Sequence, residues 1–172
     1  MNLRLKMLFF ALLGTCNLIA PYQTIKEQQV YSYVANTIDY WFYPNHTHYR
    51  LQTLIDDTVY TIQNSSHYQY QWNWQTFSYD VYYSLDYIEQ IVRAASLDVI
   101  KDEAYKYARE VTNHDTALAI AHYIYNHVLA YCSQTSYLPA SVFSNYIGTE
   151  LRKTVYDLYY QSLEVYTPSY NY

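Results

Sequence analysis

ALAIAHYIYNHVLAYC, residues 117–132, is the stretch that decides the fold class. It has no glycine, no proline and four alanines, a composition suited to a helix interior. Leu118, Ala121, Tyr125, Val128 and Cys132 recur at helical spacing and define one face. The alanines at 117, 119, 121 and 130 would let neighbours approach closely, so this segment is expected to be a central helix.

The same period extends to both sides. Thr24-Ile25-Lys26-Glu27 has the form of a capping box. Ile25, Val30, Val34, Ile38 and Trp41 follow it, and Pro44 stops that helix near Tyr43. Leu51, Leu54, Ile55, Val59 and Ile62 predict a second helix from about His48, although Thr58–Gln63 also reads as extended chain. Val81, Leu85, Ile88, Val92 and Ala95 predict a helix over Ser78–Ser96. Tyr79, Tyr83 and Tyr87 would line its nearly opposite face, since positions 79 and 81 lie about 200° apart on a helix. Glu89 and Arg93 are spaced to pair on its flank. A shorter helix is expected from Asp98, with Asn113–Asp115 breaking it and capping the next. Phe143, Ile147, Leu151, Val155 and Leu158 predict a last helix, begun near Pro139 and ended by Pro168.

One segment breaks the helical period. Tyr68, Tyr70, Trp72 and Trp74 alternate with Gln69, Gln71, Asn73 and Gln75. Period two puts rings on one face of a strand and amides on the other. Pairing with Thr58–Gln63 would make a small aromatic hairpin near 58–75. The expectation is a mainly α protein, a single bundle of five or six helices with that hairpin.

The ends read differently. Arg4 and Lys6 precede the apolar run Met7–Leu13, the form of a secretory leader. Leu13-Gly14-Thr15-Cys16 resembles a bacterial lipobox apart from Thr15. A retained anchor is the third alternative, short of the about 20 apolar residues that span a bilayer. The expected organisation is a signal peptide or membrane anchor over 1–20, a helical domain over 21–166 and a flexible tail over 167–172. The expected location is secreted, or membrane-anchored on the non-cytosolic side.

Composition excludes more than it nominates. Ten Lys and Arg face 15 Asp and Glu, and the acids form no run. Two of the basic residues lie in the leader, so the remainder is more acidic still. No basic patch suits a nucleic acid. The chain has two glycines, Gly14 and Gly148, too few for a phosphate loop, a dinucleotide fingerprint or a nucleophile elbow. Beyond the leader Cys132 is the single cysteine, which excludes a disulfide scaffold and leaves a buried thiol or an intermolecular pair.

Several polar groups invite chemistry and none completes a motif. His46 and His48 form H-x-H without an evident third ligand. Asp115 and His122 share a helical face but stand about 10.5 Å apart along the axis. His127 is five residues from both His122 and Cys132, the wrong spacing for a helical pair. Asp56-Asp57 diverge as helix neighbours. Asn45-His46-Thr47 and Asn64-Ser65-Ser66 are glycosylation triplets in expected connections. No enzyme, cofactor or metal is predicted.

The outlying number is 26 tyrosines, beside scarce lysine. A core of this size cannot hide so many hydroxyls, and exposed tyrosine with depleted lysine is the composition of contact surfaces. The expectation is an exported, non-enzymatic interaction protein that docks a protein partner or another copy of itself. Tyr68, Tyr70, Trp72, Trp74, Tyr79, Tyr83 and Tyr87 are its candidate contact residues. Alternatives are a membrane-anchored accessory subunit of a larger complex, and carbohydrate binding through segment 68–74.

Overall fold

A computed structural model describes residues 23–134 and 138–166, with side chains to residue 163. The leader 1–20, with its lipobox-like Cys16, and the tail 167–172 lie outside the described residues. The element order is β1 (Thr24–Lys26), α1 (Glu27–Phe42), α2 (Tyr49–Gln63), β2 (Tyr68–Asn73), β3 (Ser78–Ser84), α3 (Leu85–Arg109), α4 (His114–Gln134), a 3-10 turn (Ser144–Tyr146) and α5 (Gly148–Tyr166). The fold is mainly α, with five α-helices and one antiparallel sheet of order β1-β3-β2. Among the described residues no helix is long and apolar enough to cross a membrane.

The long helix is α3, not the segment 117–132. The expected break at Asp98 is absent, and 25 residues run continuously from Leu85 to Arg109. Neither Pro nor Gly interrupts them, so nothing in the backbone forces a break. Helix α3 buries Ile88, Val92, Leu97, Ile100, Ala104 and Ala108. It touches α1, α2, α4 and α5, which makes it the central element. Helix α4 lies along α3 and buries Ala117, Ile120, Ala121, Ile124, Val128 and Cys132. Leu118, expected inside, is exposed, and Tyr125 is only partly covered. The small alanines at 117 and 121 face α3, and Ile120 and Ile124 take the places assigned to Leu118 and Tyr125. The outer side of α4 carries Leu118, Tyr123, Leu129 and Tyr131.

Helices α1 and α2 follow the sequence pattern closely. Val30, Val34, Ile38 and Trp41 are buried on α1, and Leu51, Leu54, Ile55, Val59 and Ile62 on α2. Thr24-Ile25-Lys26 is a strand rather than a cap, so α1 begins at Glu27. The first-turn bond comes from Lys26 N–H to Gln29 Oε1 at 3.3 Å. His48 caps α2, its Nδ1 accepting from Arg50 N–H at 3.4 Å. Asn113 Oδ1 accepts from Thr116 N–H at 2.9 Å and starts α4 as the sequence predicts.

The segment after residue 137 closes the core. No helix starts at Pro139, and the chain instead crosses the end of α1. Ser141 N–H donates to Tyr40 O and Phe143 N–H to Trp41 O, both at 2.9 Å. Those carbonyls are ones a helix leaves without internal partners at its C-terminus. Phe143 is buried edge-on against Trp41 at 5.6 Å and beside Phe42 at 5.3 Å. Gly148 then opens α5 at φ +60°. A Cβ there would meet His48 Cδ2 at 3.5 Å and Nε2 at 3.9 Å, both ordinary contacts. The backbone angle, not space, therefore selects glycine.

Among the described residues one carboxylate is buried. Glu103 of α3 is 1% exposed, 3.3 Å from Arg50 Nε and 4.0 Å from Lys106 Nζ. Tyr49 OH donates to its Oε1 at 3.2 Å. Burial and this carboxylate push the Tyr107 hydroxyl up to about 12. The cluster ties α2 to α3.

Two substitutions check this account. Gly148→Ala should cost about 1–2 kcal/mol in urea melts, the penalty of a left-handed backbone for an L side chain, with Gly148→Asn costing less. Arg50→Met should cost about 3 kcal/mol because it strands Glu103 in the interior. Arg50→Met combined with Glu103→Leu should be less harmful than Arg50→Met alone.

Candidate functional site

The hairpin forms with the expected strand over Tyr68–Asn73 but with a different partner. Thr58–Gln63 stays helical, with Thr58, Val59 and Ile62 buried at helical spacing. The partner of β2 is β3, whose residues were assigned to a helix over Ser78–Ser96. Register pairs Tyr68 with Tyr83, Tyr70 with Val81 and Trp72 with Tyr79. The apolar residues Tyr79, Val81 and Tyr83 are spaced by two, the period of one strand face, whereas a helix would divide them between opposite sides. The two tyrosine positions 79 and 83 therefore share a face with Val81 rather than opposing it.

Facing pairs put the rings on one side. Tyr68 meets Tyr83 at 6.3 Å and Tyr70 at 5.1 Å. Tyr79 meets Tyr70 at 6.2 Å and Trp72 at 5.0 Å. Trp72 meets Trp74 at 5.9 Å. Every one of these contacts is edge-to-face, the favoured arrangement for aromatic quadrupoles.

Exposure rises along the hairpin. Tyr83 is 1% exposed and sits in the core, its hydroxyl 3.4 Å from Gln63 O. Burial pushes that hydroxyl above its ordinary range. Tyr87 is half-buried on the first turn of α3 and stacks on His67 at 4.5 Å. Tyr70, Tyr79 and Trp74 are 61, 65 and 76% exposed. The seven candidate residues thus divide: Tyr83 anchors, Tyr87 flanks, and Tyr68, Tyr70, Trp72, Trp74 and Tyr79 form the presented surface.

The turn adds a ring that the sequence analysis passed over. Phe77 is 75% exposed at the tip, with φ +51°. That backbone region is uncommon for a bulky side chain. Asn73 organises the turn, its Oδ1 accepting from Gln75 N–H at 2.9 Å. Asn73, expected only as an amide position of the strand, ends the strand and starts the turn.

The opposite face fastens the hairpin. Asp80 Oδ2 accepts from Lys26 Nζ and from Asn73 Nδ2, both at 2.8 Å. Those two bonds hold the Asp80 carboxyl below its usual range, and Asp80 raises Lys26 in turn. One carboxylate therefore bonds to both strands that flank β3.

The other singled-out residues do not converge. His46 stacks on Tyr43 at 5.8 Å while His48 caps α2, so the H-x-H pair is divided. Burial lowers the His48 pKa. His114 Nδ1 lies 2.8 Å from Tyr105 OH, His127 stacks on Tyr123 at 6.5 Å, and His122 is exposed. Asp115 is in the first turn of α4. Cys132 is free and buried, and burial pushes its thiol up. Asp56 and Asp57 are exposed. Among the described residues no three His, Cys, Asp or Glu gather as metal ligands would. Asn45 donates to Ser144 O at 2.8 Å and is partly buried, whereas Asn64 is exposed.

A groove of about 460 Å³ is lined by Tyr33, Asn36, Tyr40, Trp41, Glu89 and Arg93, among others. Its charges are engaged internally rather than with each other. Tyr33 OH donates to Glu89 at 2.7 Å, and Arg93 Nη1 donates to Cys132 O at 3.4 Å. No protein-family model, curated protein or solved structure matches this chain.

Asp80→Asn should loosen the hairpin without unfolding the helices. Because the folded-state pKa of Asp80 is depressed, its contribution is present above the ordinary carboxylate range. It is lost as pH falls through the depressed folded value. Amide exchange in β1 and β3 should accelerate on that acid limb in the wild type, and at all pH values in Asp80→Asn.

Proposed function

We propose that this chain is a non-enzymatic protein-contact module that presents the β2–β3 hairpin to a protein partner. The observation that carries this reading is the set of exposed rings: Tyr70, Trp72, Trp74, Phe77 and Tyr79 are 40–76% exposed on one short hairpin. Large contiguous aromatic surface is rare on an inert face and marks interaction sites. Tyr and Trp are residues that dominate contact energies. Edge-to-face contacts already order Tyr70, Trp72, Trp74 and Tyr79, so docking would sacrifice little of their side-chain freedom. The strained Phe77 at the tip fits the same reading, since unfavourable backbone angles gather where function requires them. Export to the non-cytosolic side belongs to this proposal through the leader-like 1–20 segment.

The test is a photo-reactive benzophenone side chain in place of Phe77, in the full chain made by its native source. Irradiation should give an adduct of one defined protein mass. Adducts confined to solvent, lipid or sugar would overturn the reading. Phe77→Gly should separate stability from contact. It removes the strained angle, so hairpin stability should hold or rise by up to about 1 kcal/mol, while binding weakens.

A further inference from the structure

The two edges of the sheet are unlike. Strand β1 is three residues long and carries Lys26, tied across to Asp80 at 2.8 Å. Short length and lysine are standard protections of a sheet edge. Strand β2, at the other edge, is six residues, YQYQWN, with no charge and no proline. Its outer row of backbone N–H and C=O groups has no strand beside it among the described residues. An unprotected edge of this length is a template for another strand.

We propose that β2 pairs antiparallel with β2 of a second copy of this chain, joining two three-stranded sheets into one. This rests on the reading of the hairpin as a protein-contact element and names its occupant. Three features fit a second copy as the occupant. First, strand parity permits it. In a two-fold antiparallel pair, directly opposed residues lie on the same face of the sheet. A symmetric β2 pair must therefore centre on a residue facing its own copy, such as Tyr70 or Gln71. Either centre sets rings against rings and amides against amides.

Second, charge permits it. The chain carries net charge −5, which disfavours the approach of two copies elsewhere. The β2 edge is neutral, and Gln69 and Gln71 can bond to the same amides of a second copy, as Gln ladders do. Third, the assembly closes. Two β2 edges satisfy each other isologously, and the edges left outside are the short, lysine-bearing β1 strands. Growth stops at two copies.

Light scattering on the full chain tests this. The wild type should have the mass of a dimer. Gln69→Lys/Gln71→Lys should be monomeric, and Gln69→Glu/Gln71→Glu likewise, each with a dissociation constant raised about 100-fold by like charges in register. An equimolar mixture of the two should return to dimer mass. Both glutamines are exposed, so the folded helical signal should persist in either variant. Gln69→Thr/Gln71→Thr, which adds no charge, should stay dimeric. A monomeric wild type, a dimer indifferent to both charge variants, or a mixture that stays monomeric would overturn the pairing. If the Phe77 probe then captured a different protein, the contact reading would stand without it. A monomeric wild type with no protein adduct at Phe77 would remove both.

Discussion

The rest of the structure depends on the junction where β3 becomes α3 without a loop. Ser84 ends the strand and Leu85 begins the helix. Leu85 N–H donates to Gln23 O at 2.8 Å, so the chain preceding β1 satisfies one of the first amides of the helix. Tyr83, just before the junction, is buried. A strand continued directly by a helix has few free dihedrals between them. The hairpin is thereby fixed relative to the core, and its outer half stands away from it.

That geometry explains how one chain can hold so many tyrosines. Some cover the core with their rings and keep their hydroxyls on partners, as Tyr33 does on Glu89 and Tyr156 on Glu110. Others, such as Tyr70 and Tyr79, are spent on a surface that the helices do not cover. Tyrosine suits both places because its ring is apolar and its tip is polar. Composition therefore announces exposed aromatic surface without saying which rings form it.

Legibility followed the size of the local signal. Helices α1 and α2 were readable because their buried residues, from Val30 to Trp41 and from Leu51 to Ile62, recur at an unambiguous period. Strand β2 was readable because strict ring–amide alternation admits no helix. Strand β3 was misread because Tyr79 with Tyr83, and Val81 with Leu85 and Ile88, each recur at helical spacing, while Tyr79, Val81, Tyr83 and Leu85 also alternate as a strand does. What decides between them is the pairing partner, which lies across the turn. Helix α4 was taken for the centre because its alanines at 117, 119, 121 and 130 admit close neighbours. Its neighbours cover one side only, and α3, with a weaker pattern, holds the middle.

By itself, the sequence determined the helical class, where α1 stops before Pro44, where α4 starts after Asn113, and the alternating faces of β2, because these rest on spacing and caps within a few residues. It also determined what the chain lacks the residues to build, since glycine and cysteine counts bound whole classes of site. Tertiary structure alone decided that β3 pairs with β2, that α3 is central, and that Glu103 and Arg50 meet between α2 and α3. It alone placed Phe143 over the end of α1 and Phe77 at the exposed tip. Each of these depends on contacts between residues distant in sequence, whose energy no local window contains.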